Sequence, residues 1–187
     1  MKVICYGDSN TYGYDPRSYL GDRYDSKNRW VDLLAQKTKW MIRNDGMNGR
    51  QIPHHTVSFP SDTHFLFIML GTNDLLQGYS AREIALRMER FLHSLDFPLN
   101  RVILISPPPV VQGAWVERDA LVETSYRLVF EFCDLANRLG VKFVNAGEWG
   151  IPMCFDGVHF TEEGHKRFAD GLYDYLLEED MVCLKQE

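Results

Sequence analysis

Three short apolar runs, each ending abruptly in a turn, constrain the fold of this chain more than any other feature. Val3-Ile4-Cys5-Tyr6 stops at Gly7-Asp8-Ser9-Asn10, Phe65 to Leu70 stops at Gly71, and Val102 to Ile105 stops at Ser106 and three prolines. An uninterrupted apolar run of this length reads as a strand buried on both faces, which is characteristic of a parallel sheet. Val141-Lys142-Phe143-Val144, after Gly140, is a fourth candidate strand, and Trp40-Met41-Ile42-Arg43 is a weaker fifth.

Helical patterns separate the runs. Ser80 and Glu83 have the spacing of a capping box, followed by Ile84, Met88, Phe91, Leu92 and Leu95 at helical intervals. Leu121, Leu128, Val129, Phe132, Leu135 and Leu139 form a second stripe, with Gly140 placed to end it. Thr161 caps a last helix whose Glu162 and Glu163 suit its N-terminal dipole, with Phe168, Leu172, Tyr175 and Leu176 facing inward. A short helix is expected from about Arg29 to Lys37. Alternating strands and helices predict an α/β fold, a parallel sheet with helices on both faces in a three-layer α/β/α sandwich. Two long polar stretches, Thr11 to Lys27 and Pro107 to Arg118, interrupt the rhythm. Connections of that length are functional loops or disordered segments.

The 187 residues suit one domain, 1–187, with no linker or repeat dividing it. A net charge of −6 without a basic run argues against a nucleic-acid partner. Met1-Lys2 leads straight into a strand without a signal-peptide apolar region, and no run reaches membrane-spanning length. The four cysteines, Cys5, Cys133, Cys154 and Cys183, form no C-x-x-C pair or disulfide framework. Free thiols in the cytoplasm are the expectation.

Ser9 follows the first strand, Gly71-Thr72-Asn73-Asp74 follows the Phe65 strand, and Asp156-Gly157-Val158-His159 follows the Val141 strand. A parallel sheet gathers all of these at its carboxyl edge, where open α/β sheets bind ligands. A serine, an amide, a carboxylate and an imidazole are the set that acyl transfer requires. Ser9 is the candidate nucleophile, and a serine hydroxyl needs a base to take its proton. His159 is the candidate base because imidazole titrates near neutrality. Asp156 is placed to accept the other ring N–H. Taken singly, Gly-Asp-Ser-Asn and Gly-Thr-Asn-Asp also read as turns, and Asp-x-x-His as a helix N-cap region. An oxyanion needs preorganised donors: the Ser9 N–H, the Asn73 amide, and a glycine N–H from Asn44-Asp45-Gly46-Met47-Asn48-Gly49-Arg50, where Gly46 and Gly49 both qualify.

These blocks, taken in order, resemble the SGNH hydrolase family, also called GDSL esterases and lipases. They are Gly7-Asp8-Ser9-Asn10, Asn48-Gly49-Arg50, Gly71-Thr72-Asn73-Asp74 and Asp156-Gly157-Val158-His159, and together they span nearly the whole chain. The resemblance implies a flavodoxin-like sheet of order 2-1-3-4-5, with Ser9 as nucleophile, His159 as base and Asp156 as its orienting partner. It also implies an oxyanion hole from Ser9, Gly49 and Asn73, favouring Gly49 over Gly46. Asn10 departs from the family pattern, standing where the name-giving leucine would be. The segment from Gly7 to Tyr14 is similar to the arylesterase and acyltransferase branch.

Other residues invite a role and carry a simpler reading. His54-His55 could suggest a metal, but adjacent histidines point apart and no ligand cluster supports them, so a loop near the pocket mouth is expected. His165 reads as a surface or half-buried helix residue, and Cys154 as loop packing. Tyr12, Tyr14, Tyr19, Tyr24, Trp30 and Trp115 lie in or near the long loops, where some can contact substrate. The leading expectation is a cofactor-free and metal-free serine esterase for small to medium acyl esters, with a carbohydrate O-deacetylase as a narrower form. A non-catalytic flavodoxin-like module and a metal-dependent hydrolase are the alternatives from other classes. A homo-oligomer is compatible with this sequence.

Overall fold

The structure is a computed structural model describing residues 1–18, 20 and 22–182. Strands β1 (Lys2–Gly7), β2 (Met41–Gly46), β3 (Phe65–Met69), β4 (Val102–Ser106) and β5 (Lys142–Asn145) form one sheet. Its order is β2-β1-β3-β4-β5 and every pairing is parallel, as expected. The α-helices among the described residues are α1 (Ser9–Tyr12), α2 (Trp30–Thr38), α3 (Thr72–Leu76), α4 (Ala81–Ser94), α5 (Asp119–Leu139) and α6 (Glu162–Glu178). Tyr19 and Cys183 lie outside the described residues.

Strand side chains alternate between two cores because successive residues point to opposite faces. Ile4, Tyr6, Leu66, Ile68, Val102 and Leu104 pack with Ile84, Met88 and Phe91 of α4 and Leu128, Phe132 and Leu135 of α5. Val3, Cys5, Phe67, Met69, Ile103, Ile105 and Val144 pack with Trp30 and Leu34 of α2 and Phe168, Leu172 and Leu176 of α6. The interior positions of the central strands, Val3–Tyr6, Leu66–Met69 and Val102–Ile105, are therefore apolar throughout, while the helices carry one apolar stripe each. The Ser80–Glu83 capping box forms at α4, and the Thr161 side chain accepts from Gly164 N–H at the start of α6. Among the described residues, no helix is long and apolar enough to cross a membrane.

Three local readings need correction. β2 begins one residue after Trp40 and runs through Asn44, Asp45 and Gly46. It is an edge strand bonded only to β1, so part of its surface meets water and polar residues are tolerated. The Gly7-Asp8-Ser9-Asn10 and Gly71-Thr72-Asn73-Asp74 turns each open a short helix, α1 and α3. Helices of one turn are too short to show an apolar period.

β2 ends against α1. A Cβ on Gly46 would lie 2.1 Å from Tyr12 N and 2.5 Å from Tyr12 Cα, so only glycine allows the two backbones to meet. Gly46→Ala should destabilise the fold by about 1–3 kcal/mol, the usual cost of overpacking. Urea denaturation checks this; an unchanged midpoint would mean that α1 does not press on β2.

Candidate active site

The one-turn helix α1 starts two residues beyond the end of β1. Asp8 caps it by accepting the Asn10 N–H at 2.9 Å, and the Gly13 N–H closes it on Ser9 O at 2.9 Å. Trp30, fully buried, donates its indole N–H to Asn10 O at 3.0 Å. Ser9 is thus held rigidly at the carboxyl edge beside the junction of β1 and β3, the switch point of this strand order.

The histidine arrives by a longer route. β5 lies three strand spacings from β1, roughly 14 Å, so the chain after Asn145 must return across the edge to reach Ser9. The Pro107–Arg118 stretch straps this return segment. Val111 N–H donates to Gly157 O at 2.9 Å, Ala114 N–H to Phe155 O at 3.0 Å and Trp115 N–H to Asp156 O at 3.0 Å. Of the two readings for that stretch, backbone hydrogen bonding favours an ordered loop. The return segment also closes on itself, with Cys154 N–H donating to His159 O at 2.7 Å.

The result is a hydrogen-bonded line. His159 Nε2 lies 2.9 Å from Ser9 Oγ, and His159 Nδ1 lies 2.7 Å from Asp156 Oδ2. The other Asp156 oxygen accepts the backbone N–H groups of Val158 and His159, both at 2.9 Å. Asp156 is fully buried and His159 is 2% exposed. Burial pushes the Asp156 carboxyl up, but the His159 ring, the two N–H donors and the imidazole charge outweigh it, and its pKa falls below the ordinary value. An ionised Asp156 keeps the neutral imidazole's proton on Nδ1, which turns the Nε2 lone pair toward the serine hydroxyl.

Asn73, in the first turn of α3, donates its side-chain amide to Arg50 O at 3.1 Å. One N–H is used to orient the amide, and the second remains for another acceptor. The adjacent Asp74 grips the same loop: it accepts the Ile52 N–H at 3.0 Å and pairs with Arg87 Nε at 2.8 Å. Arg50 donates to Gly7 O at 3.0 Å and to Asp45 O, with its guanidinium 4.1 Å from the centre of the Tyr6 ring. Arg50 stands in the Asn48-Gly49-Arg50 block, but its contacts and those of Arg87 are not legible in the sequence, because their partners are distant in the chain or unmarked by any pattern. Gly49 adopts φ +73°, and a Cβ there would meet open space. Gly46 instead is packed against α1. Neither Ser9 N–H nor Gly49 N–H bonds to a backbone carbonyl among the described residues.

The loop aromatics divide. Tyr14 and Trp115 set their rings edgewise on His159, with centroids 4.7 and 5.1 Å away. Tyr24 and Trp30 belong to the interior, and Tyr12 lies under the Arg23 guanidinium. Cys154 packs in the loop, against Tyr24 OH at 3.6 Å and Phe160 O at 3.4 Å. His165 is fully buried between Tyr24 and Phe160, which corrects the surface or half-buried reading. Burial and the charges of His159 and Arg29 push its pKa down to about 3, so it is neutral at ordinary pH. It falls on the α6 face that packs on α2, and its Nδ1 accepts the Trp30 N–H at 3.4 Å. His54 and His55 are exposed and line a cleft with Pro53, Arg87 and Arg90, with rings perpendicular to each other. Among the described residues, no group of three or more His, Cys, Asp or Glu side chains is arranged to hold a metal ion.

A 2-1-3-4-5 parallel sheet with helices on both faces, carrying these four blocks at its carboxyl edge, is the fold of the SGNH hydrolases. The chain belongs to the GDSL-like lipase/acylhydrolase family, whose family model matches residues 5–167. No curated protein matches it in sequence. Among solved structures it is similar to a candidate arylesterase from Agrobacterium tumefaciens str. C58, with 25% identity, a TM-score of 0.78 and coverage of 95% of this chain and 98% of that one. The aryl esterase of M. smegmatis (22% identity, TM-score 0.78, 95% and 98% covered) shares the fold. So does Est24, a carbohydrate acetylesterase from Sinorhizobium meliloti (22% identity, TM-score 0.76, 95% and 99% covered).

Asp8 gives the site a pH signature. Burial pushes its pKa up to about 6, against the opposing pull of the Asn10 N–H, His159, the Thr72 hydroxyl and Arg50. A folded pKa above the unfolded value of 3.8 means that the native state holds the proton more tightly. That contribution is complete below the unfolded pKa and is lost as pH rises through about 6. Asp8→Asn keeps a capping side chain and removes the titration. Relative to wild type, the variant should gain roughly 2–3 kcal/mol between pH 4 and pH 7. Urea melts across that range check this; a pH-independent difference would show Asp8 to be solvated.

Proposed function

We propose that this protein is a serine esterase hydrolysing small to medium acyl esters through an acyl-enzyme on Ser9. The observation that carries the reading is the continuous line Ser9 Oγ–His159 Nε2–His159 Nδ1–Asp156 Oδ2, with steps of 2.9 and 2.7 Å. Membership of a lipase/acylhydrolase family supports it. Ser9 Oγ attacks the ester carbonyl as His159 Nε2 takes its proton, and Asp156 stabilises the imidazolium. The Ser9 N–H, the Gly49 N–H and the free N–H of the Asn73 amide receive the developing oxyanion. As the intermediate collapses, His159 returns the proton to the departing alcohol. Water then repeats the sequence on the acyl-enzyme. A carbohydrate O-deacetylase would run the same steps with an acetyl group. The free thiols Cys5, Cys133 and Cys154 accord with the cytoplasm as the setting.

A phosphate-binding module at the same edge fits less well. Such a loop offers its backbone N–H groups to the ligand, whereas those of Asn10, Tyr12 and Gly13 are already bonded to Asp8 Oδ1, Asp8 O and Ser9 O.

A fluorophosphonate should add once to the protein, at Ser9, as read by intact mass and peptide mapping. Ser9→Ala and His159→Ala should each abolish most turnover of a short p-nitrophenyl ester, with the double variant little worse than either, because groups acting in one step are non-additive. Absence of the adduct from folded protein would sink the esterase reading and favour the binding module.

For Asn73, substitution by Asp keeps size and turn propensity but faces the oxyanion with negative charge. Asn73→Ala should lower kcat by roughly 10²- to 10³-fold, with KM changing much less, and Asn73→Asp should be at least as damaging. A well-folded Asn73→Asp enzyme with near-normal kcat would remove Asn73 from the oxyanion hole.

A further inference from the structure

Asn10 is the residue at which this chain departs from the GDSL motif, and its side chain does something leucine cannot. Its amide N–H donates to Val158 O at 3.0 Å, and its amide oxygen accepts the Phe160 N–H at 3.0 Å. Val158 and Phe160 are the two neighbours of His159 in the chain. One side chain therefore grips the backbone on both sides of the candidate base, across a sequence separation of about 150 residues. The bonds are dry: Asn10 is 4% exposed, Val158 3% and Phe160 0%. Asn10 is also the residue next to Ser9 in the one-turn helix, and its carbonyl is held by the Trp30 indole. Hence nucleophile and base are referenced to the same rigid element.

We propose that Asn10 is the positioning residue that sets the distance between Ser9 and His159. The proposal rests on the esterase reading above. The return segment after β5 is irregular, and among the described residues its β-type pairing near the histidine is limited to the isolated bridge between Met153 and Phe160. Asp156 orients the ring within that segment, since its bonds go to residues of the same turn. The strap docks the segment from outside at residues 155 to 157. Neither group of contacts refers the imidazole to Ser9. The Asn10 amide does, with one donor and one acceptor that pair with the residues on either side of His159. An error of about 1 Å between reacting groups can cost on the order of 10²-fold in rate.

Asn10→Asp preserves volume and the bond from Phe160 N–H but sets a carboxylate oxygen against Val158 O. Asn10→Leu removes both bonds and restores the GDSL letter. The measurements are kcat and KM on a p-nitrophenyl ester, the rate of fluorophosphonate labelling, and the melting midpoint. Rates are corrected for the folded fraction and taken well below each variant's own midpoint. The expected result is a roughly 10- to 100-fold loss in kcat for both variants. Labelling should slow in parallel, KM should stay within about threefold, and wild type should label fully at Ser9. In wild type, the Phe160 amide should exchange its hydrogen with the slow rate of a buried bonded group, and this protection should be lost in Asn10→Leu. Wild-type kcat and labelling in either folded variant would overturn the proposal. So would a loss of turnover that merely tracks the loss of folded protein, since Asn10 would then support the fold alone. Failure of wild type to label at Ser9 would instead overturn the esterase reading on which the proposal rests.

Discussion

β5 stands three strands away from β1, yet the imidazole that follows β5 lies 2.9 Å from the hydroxyl that follows β1. Strand spacing alone places the two roughly 14 Å apart. The gap is closed by an irregular return segment, and most of the local structure at the carboxyl edge serves to hold it. Asp156 folds the segment into a tight turn from within, while the Pro107–Arg118 strap binds it from outside through three backbone hydrogen bonds. Asn10 joins it to the one-turn helix that carries Ser9.

The same physical device recurs on the other side of the site. Irregular backbone buried away from water needs partners for its N–H and C=O groups. Here, short polar side chains supply them at fixed points. Asn73 takes Arg50 O and the neighbouring Asp74 takes Ile52 N–H, so two successive residues of α3 hold the loop carrying Gly49. Arg50 completes the connection by reaching back to Gly7 O at the end of β1. A net hydrogen bond contributes only about 1 kcal/mol, but leaving such buried groups unpaired costs more. These residues therefore act chiefly by excluding other loop conformations, which makes the site rigid at little gain in stability.

Legibility in the sequence followed range. α4 was readable because its capping box and apolar stripe are local, three to eleven residues apart. The central strands are legible because burial on both faces leaves an unbroken apolar run at Val3–Tyr6, Phe65–Met69 and Val102–Ile105. β2 extends past the Trp40–Arg43 run through Asn44, Asp45 and Gly46, since an edge strand pairs on one side only and admits polar residues. α1 and α3 have no period to detect, being one turn each. The burial of His165 depended on which face of α6 meets α2, and nothing within the helix itself states that.

The candidate site divides along the same line. The amino-acid sequence by itself determined the residue types at the strand ends and, through the parallel alternation of strands and helices, the edge on which they meet. Propensity, period and strand direction act over a few residues, so a single chain displays them openly. Tertiary structure alone decided that the His159 segment returns from the sheet's far edge, that Gly46 packs on α1 while Gly49 stands clear, and that Asn10 spans about 150 residues to bracket the histidine. Those outcomes depend on backbone hydrogen bonds and close contacts between distant segments. Such partners carry no signature in the order of residues, because any residue presents an N–H or a C=O, and only the fold chooses which of them meet.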